Sequence, residues 1–581
     1  MDQNDYLRLS EDGKTVIGCR KEINGAVVIP NGVTKIGKWA FEGCTNLTSI
    51  EIPDSVTRIG DCAFDGCTSL SSIVIPDRVI KIEKFAFYGC TNFVSIEIPE
   101  RLTKIGEGAF SNCTRLKLLI VDEKNPKYCS VDGVLYSKDM KSLIAVPGGK
   151  DSINILDSVT KIGEYAFSVC SSLTTIKIPN RVTKIGDFSF FGCSSLQSIM
   201  VPDRVKEIGW HVFDGCTSLT SIKIPDRVTK IENGAFCNCT SLKSIIVDEK
   251  NPNYCSIDGV LYSKDKKSLI AVPGGIDSIK ISESVTEIKD YAFSGCTRLD
   301  SVLLSDCIIK IGLDAFHGCA SLNSIIIQDG VNKVWEHAFR GCTSLKSIEL
   351  PDSVTKIEWE AFKGCTSLIS IKIPEQVTEI GIDAFNGCTS LASVEIPESV
   401  TEIRDGAFRG CTSLKSIKIP DRVKDLGWNV FEDCISLTSI EIPESVTEVR
   451  NNAFRGCTSL NSIKIPERMK EIGSNAFEGC TSLISIKIPN RVKEIRDKAF
   501  KGCTSLTSLE IPSSVTWVGD DAFSGCTNLL EIHLHKRSVE ISDSFRDLDL
   551  SKITLYVPIG SIYANRHHPF YSKFKEVVIE R

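Results

Sequence analysis

Apolar and polar positions follow one short pattern along this chain, and the pattern returns every 23 residues. The stretch AFEGCTNLTSIEIP from Ala40 to Pro53 comes back as AFDGCTSLSSIVIP from Ala63. With the phenylalanine as a ruler, it falls at Phe41, Phe64, Phe87 and Phe110, then at Phe167, Phe190, Phe213 and Phe236. It resumes at Phe293 and runs without a break to Phe523, with Phe545 as a degenerate last member. The consensus is AFxGCTSLxSIxIPxSVTxIGxx. In the first unit Leu47, Ile50 and Ile52 stand at i, i+3 and i+5, and the Ile-x-Ile end has period two. That spacing predicts a short strand with one buried face. A unit so short cannot bury its apolar side alone, so successive units must stack. The predicted fold class is a repeat solenoid, mainly β, whose strands form a parallel sheet at about 4.8 Å spacing. A fixed period of this kind overrides any domain count drawn from the length of 581 residues.

Gly43 in FEGC is expected to take a positive-φ turn, where glycine carries no Cβ penalty. Asn112 and Asn238 replace it in two units, and asparagine tolerates that conformation best among the other residues. Val169 and Asp433 stand at the same position and break the rule.

The pattern is interrupted twice. DEKNPKYCSVDGVLYSKDMKSLIAVPGG begins at Asp122, and a near copy begins at Asp248. The two starts are 126 residues apart, so a four-unit block and its insert have been duplicated. Each insert reads as a hairpin, GVLYSK and SLIAVP around a charged turn. The resulting division is an N-terminal cap hairpin (1–26), a first block (27–121), an inserted hairpin (122–152), a second block (153–247), a second inserted hairpin (248–278), a third block (279–534) and a C-terminal cap (535–581).

The recurring LTSIEIP, SVTRIG and AFDGC, with the NPKYCSVDGVLYSKD insert, resemble the leucine-rich repeat proteins of the BspA-like type. The resemblance covers the chain from about Val27 to Ile532. It implies a right-handed horseshoe or superhelix with a concave parallel sheet and short turns or short helices on the other side. It also implies a non-catalytic protein-binding or adhesion role, as in bacterial or protist surface proteins. An intracellular scaffold or regulatory interaction protein is the alternative, and an enzyme with a site at the inserted hairpins a distant one.

Composition bears on this only in part. The chain has 68 basic and 74 acidic residues, a net charge of −6, and no clustering of basic residues of the kind nucleic acid requires. No apolar run reaches the ~20 residues of a membrane helix. The first residues, MDQNDYLRLSEDGKTVIGC, lack the basic start and apolar core of a signal peptide. The location expected from the sequence as written is therefore cytoplasmic, with the cell surface or secretion as the alternative that the resemblance implies.

Of 25 cysteines, 19 stand three residues after a ruler phenylalanine, from Cys44 to Cys526. A metal site needs ligands converging at short spacing, and stacked units point these thiols the same way, which no disulfide accommodates. The expected role is filling beneath each phenylalanine, and reduced thiols fit a reducing setting. Cys237 with Cys239, and Cys129 and Cys255 in the inserts, stand outside this argument. His533 with His535, and His567 with His568, are read as cap packing. No cofactor and no metal are expected. GxSxG, P-loop, HExxH and Rossmann fingerprints are all missing, so no catalytic residue is assigned and no small-molecule substrate is evident.

The position between the two isoleucines carries the variation. In the C-terminal run it reads Glu349, Lys372, Glu395, Lys418, Glu441, Lys464, Lys487 and Glu510, opposite charges that neighbouring strands would pair. Towards the N-terminus it is apolar at Val74, Ile120, Met200, Ile246, Leu303 and Ile326. Apolar residues on an open sheet mark a partner surface, although Ile120 and Ile246 lead straight into the inserts. Val74, Met200, Leu303 and Ile326, with Trp210 and Trp428 in the turns before the ruler phenylalanine, are the candidate contacts for a protein partner.

Overall fold

The computed structural model describes residues 6–537, 542–561 and 571–580. The chain is a β-solenoid with almost no helix. It divides into two compact units, one running to Ile276 and including Tyr291–Cys296, the other holding Asp277–Asp290 and the chain from Thr297 onward.

Each coil has three sides, and one coil of the N-terminal unit shows why. The first side is the strand Leu47–Glu51. Pro53 closes it, since proline offers no N–H to continue the ladder, and its carbonyl accepts the Val56 N–H at 3.0 Å. The second side is the two-residue strand Arg58–Ile59. The third is the turn through Ala63, Phe64 and Cys67. Leu47, Ile50, Ile52, Val56, Ile59, Ala63, Phe64 and Cys67 all point inward and are buried. Three sides thus share one core, which no single coil could enclose.

Neighbouring coils are joined on all three sides. In the N-terminal unit Thr175–Ile176, Ser198–Met200, Ser221–Ile224 and Ser244–Val247 form one parallel sheet. The two-residue strands Lys35–Ile36, Arg58–Ile59, Lys81–Ile82 and Lys104–Ile105 form another, edged by Thr15–Cys19 and Leu7–Leu9. The other unit repeats this, for example in Ser416–Lys418, Ser439–Glu441 and Ser462–Lys464. Its C-terminal strands Thr554–Pro558 and Glu576–Glu580 extend the first sheet beyond Glu531–Leu534.

The third side is not a β-sheet. The N–H groups of Trp39, Phe41 and Gly43 donate to the carbonyls of Asp61, Ala63 and Asp65 at 2.9, 2.7 and 2.7 Å. Aiming alternate N–H groups at the next coil requires left-handed backbone at two places, Trp39 (φ 57°) and Gly43 (φ 66°). The first is glycine only at Gly108, Gly234 and Gly406, the second in most coils. Asn112, Val169, Asn238 and Asp433 all adopt it too, with φ between 54° and 60°. The exceptions at Val169 and Asp433 have the same cause: their N–H groups donate to Phe191 and Arg455 of the next coil at 2.6 and 2.7 Å. The intercoil hydrogen bond imposes the conformation whatever side chain is present.

The ruler rings stack along the core, with Phe41–Phe64 at 5.0 Å and Phe64–Phe87 at 5.4 Å between centroids. In the other unit the column ends with Phe545 lying 5.3 Å from Phe523, so the degenerate last member completes it.

Each insert contains the expected pair of strands and one more before it. Tyr128–Val131, Val134–Ser137 and Ser142–Ala145 form an antiparallel meander, and the last of these pairs in parallel with Lys161–Ile162. Asn125, fully buried, fastens its start. Its amide donates to the carbonyls of Pro99 and Leu102 at 2.8 and 3.0 Å, and its Oδ1 accepts the N–H groups of Lys127 and Tyr128 at 2.9 Å. The Tyr128 hydroxyl accepts the Ile105 N–H at 3.0 Å, which the two-residue ladder would otherwise leave open. Asn251 and Tyr254 do the same in the second insert.

Candidate functional site

The cysteines come first, because they are the densest reactive group in the chain. All are free thiols. Those of the ladder are not only filling. Cys67 donates its S–H to the Phe41 carbonyl at 3.1 Å, and Cys365 does so to Phe339 at 3.1 Å, each reaching one coil back. The same bond recurs along both units. After the inserts, Cys170 and Cys296 turn to Val146 and Val272 at 3.9 and 3.7 Å instead, since insert residues take the place of the missing coil. Sequence reasoning missed this role because the acceptor is a backbone atom a whole coil away. Burial pushes the Cys113, Cys170, Cys434, Cys480 and Cys526 thiols up to about 12. Such thiols are poor nucleophiles. Cys129 and Cys255 donate to Ser137 and Ser263 within their own hairpins at 3.3 Å, and Cys237 faces the Tyr291 carbonyl at 4.0 Å.

His533 stacks on Tyr556 with centroids 4.2 Å apart, and its Nδ1 lies 2.9 Å from Glu580. It packs the end of the first sheet, while His567 and His568 lie outside the described residues. Among the described residues no group of three or more His, Cys, Asp or Glu is placed to hold a metal ion. No helix among them is long and apolar enough to cross a membrane.

Four of the candidate contacts lie on the outer surface of the first side, Val74 in a coil whose first side forms no strand. Val74 and Met200 in the N-terminal unit are 79% and 75% exposed, and Leu303 in the other unit is 66% exposed. Register decides how far they cooperate. Leu303 lies beside Ile326 on neighbouring strands, and the two form a small apolar pair. Met200, by contrast, lies beside Lys223, and Lys280 lies beside Leu303 on its other flank. The apolar residues are therefore local patches and not one stripe. Trp210 and Trp428, both exposed, stand in the turn after the second side, away from the first sheet. Their backbone N–H groups donate to the Asp187 and Asp405 carboxylates of the preceding coil at 3.0 and 2.8 Å. Ile120 and Ile246 stay about half exposed beside the inserts.

The alternating charges stand on adjacent strands in the expected register, with Lys418 beside Glu441 and Lys372 beside Glu395. Yet Lys418 reaches Glu398 at 2.8 Å and Lys487 reaches Glu467 at 2.9 Å, both across the turn at the end of the strand. A lysine long enough to span the sheet edge finds the turn glutamate before its cross-strand neighbour.

Six stretches, the last four overlapping, match the BspA type leucine rich repeat region: residues 21–129, 150–256, 274–392, 333–461, 378–504 and 447–571. The chain belongs to that family. It is similar to a leucine rich cell surface protein from Faecalibacterium prausnitzii, with 31% identity over 71% of this chain and 92% of that one and a TM-score of 0.39. It is also similar to leucine-rich repeat proteins from Eubacterium ventriosum (20% identity, 84% and 94% covered, TM-score 0.35) and Bacteroides ovatus (24%, 94% and 97%, 0.26). No curated protein matches the chain. The family's members are repeat proteins suited to protein binding and are in general interaction modules without catalysis.

Proposed function

We propose that this BspA-type repeat protein is a non-catalytic adhesion module that holds a protein partner on the outer face of its first sheet. The observation that carries the reading is the pair Leu303 and Ile326. These neighbouring side chains are 66% and 51% exposed at a position that later coils fill with lysine and glutamate. Two apolar side chains on a rigid sheet present anchor area with little ordering cost on binding. Met200 and Val74 supply similar single anchors in the N-terminal unit. Trp210 and Trp428 would extend contact onto the turns.

The test is binding of the purified chain to immobilised extracellular and cell-surface proteins, read by biolayer interferometry beside the double variant Leu303→Glu, Ile326→Glu. At least a tenfold weaker binding by the variant supports the reading, and unchanged binding rejects this face. Protease treatment of intact source cells separates the two locations. Cleavage on intact cells favours surface adhesion; protection until lysis favours a partner inside the cell.

A further inference from the structure

In the C-terminal unit, the position after the second-side strand alternates between arginine and glycine: Arg404, Gly427, Arg450, Gly473, Arg496, Gly519. Glycine recurs because the coils approach closely there. A Cβ on Gly473 would meet the Arg450 carbonyl carbon at 2.7 Å, and one on Gly427 would strike the backbone of Arg404. Each arginine can therefore lie along the coil surface beside a glycine.

Two of the three arginines are paired by a glutamate 25 residues earlier. Arg404 Nε bonds Glu379 at 3.0 Å, with Glu402 also against its guanidinium. Arg496 bonds Glu471, with Nη2 to Oε2 at 3.1 Å, and lies 3.3 Å from Glu494. At the matching place for Arg450 the chain has Asp425, one methylene shorter. Arg496 buries its Nε against Glu471, whereas the buried Nε of Arg450 has no hydrogen-bond partner and its guanidinium no ion pair among the described residues. A buried guanidinium N–H left unpaired is costly.

The sheet also opens at this point. Leu426 bridges to Ile403, but among the described residues no bridge joins it to Val449, and the ladder restarts with Glu448–Val449. A depression of about 480 Å³ lies there, lined by Arg404, Arg422, Lys424, Asp425, Gly427 and Arg450. Arg450 also borders a second depression of about 350 Å³ with Trp428, Asn451, Glu471 and Arg496. Of the carboxylates that line the first depression, Glu402 is held by Arg404 and Asp405 accepts the Trp428 backbone N–H at 2.8 Å. Asp425 is the third carboxylate of that lining, which also holds the cations Arg422, Lys424 and Arg450.

We propose that this double depression binds a saccharide carrying one carboxylate or sulfate, with the anion on Arg450 and a neighbouring ring against Trp428. The two terminal nitrogens of Arg450, beyond the buried Nε, form the fork that oxyanions fit. Trp428 is 52% exposed and offers an apolar face to a sugar ring. The Asn451 Oδ1 accepts the Ser474 N–H at 2.9 Å and leaves its amide to donate to a hydroxyl, while the carboxylates of Glu448 and Glu471 accept from hydroxyls. Those carboxylates would repel an acidic peptide, and so they favour a ligand with one anion among neutral hydroxyls. The site lies apart from the first sheet and does not depend on the adhesion reading.

The experiment is isothermal titration of the full-length chain with glucuronosyl-xylose and with lactose monosulfate, each bearing one anion, using lactose and a triglutamate peptide as controls. One or both acidic saccharides bind, and the controls bind at least tenfold more weakly. Arg450→Gln abolishes binding. Asp425→Glu is the decisive variant. It keeps the net charge, gives Arg450 the partner that its two counterparts have, and is expected to weaken binding at least tenfold. Trp428→Ala weakens it several-fold, with the thermal midpoint measured for every variant to confirm folding. Unchanged binding by a folded Asp425→Glu protein overturns the proposal, as does equal binding of lactose or tighter binding of the peptide. Failure of both acidic saccharides to bind also overturns it.

Discussion

The thiol of Cys411 donates to the carbonyl oxygen of Phe385 at 3.2 Å, across 26 residues of sequence and one coil of the solenoid. The same oxygen accepts the Cys388 N–H at 3.1 Å, so one acceptor ties a turn to itself and to its neighbour.

This ladder predicts alkaline unfolding. Burial raises the Cys434, Cys480 and Cys526 thiols from an ordinary value of 9.0 to about 12. The folded state then holds these protons more tightly than the unfolded state. The stability they contribute is full below pH 9 and is lost as pH rises from 9 towards 12. Circular dichroism against pH should show cooperative loss of structure in that window, and variants with several ladder cysteines replaced by alanine should lose it at higher pH. At pH 8 a thiol reagent should label exposed Cys307 quickly and the ladder only after unfolding.

Phe385 is fully buried between Phe362 and Phe408, each 5.4 Å away. Phe385→Ala should cost about 3–5 kcal/mol locally. Hydrogen exchange should rise in the coils on either side, since each coil contacts only its neighbours. Unchanged exchange there would show that the ring column does not hold the coils together.

Val169 adopts φ 59°, a strained region for a β-branched residue. Val169→Gly should raise stability by about 1 kcal/mol, because the strain is relieved while the bond to Phe191 survives. A lower thermal midpoint would mean that the valine side chain contributes more by packing than its backbone costs.

Gly108 stands at φ 64°, and a Cβ there would collide with the Phe85 ring. That ring reaches over the glycine to meet Tyr165 edge-on at 4.9 Å, on the far side of the first insert. Gly108→Ala should destabilise the N-terminal unit by about 1–3 kcal/mol. Its effect should be largest in exchange near Tyr165. No such effect would show that the aromatic contact is incidental.

Lys418→Glu removes an ion pair whose partners, Lys418 and Glu398, are both exposed, and places a third acid beside Glu441. The expected loss is small, because both groups are fully exposed, and it shrinks further in high salt. A larger loss, insensitive to salt, would point to packing by the lysine stem.

Much of this was legible in the residues. The recurrence of AFxGC, Ile-x-Ile and SVTxIG determined coil length, the buried set and parallel stacking, because those follow from burying one short apolar pattern against copies of itself. The left-handed turn at Gly43 was legible because glycine marks it. The matching turn at Trp39 was not, since tryptophan, phenylalanine, histidine and glutamate occupy it as well as glycine, asparagine and aspartate; hydrogen bonds between coils impose that conformation even where local preference opposes it. The same reason hid the thiol donors. Tertiary structure alone decided which surface groups find partners: Lys418 takes Glu398 and not Glu441, and Lys223 divides the apolar residues. Arg450 goes unpaired where Asp425 is one methylene short. Pairing depends on ångström differences in reach between side chains of adjacent coils, and a repeating sequence does not display those distances.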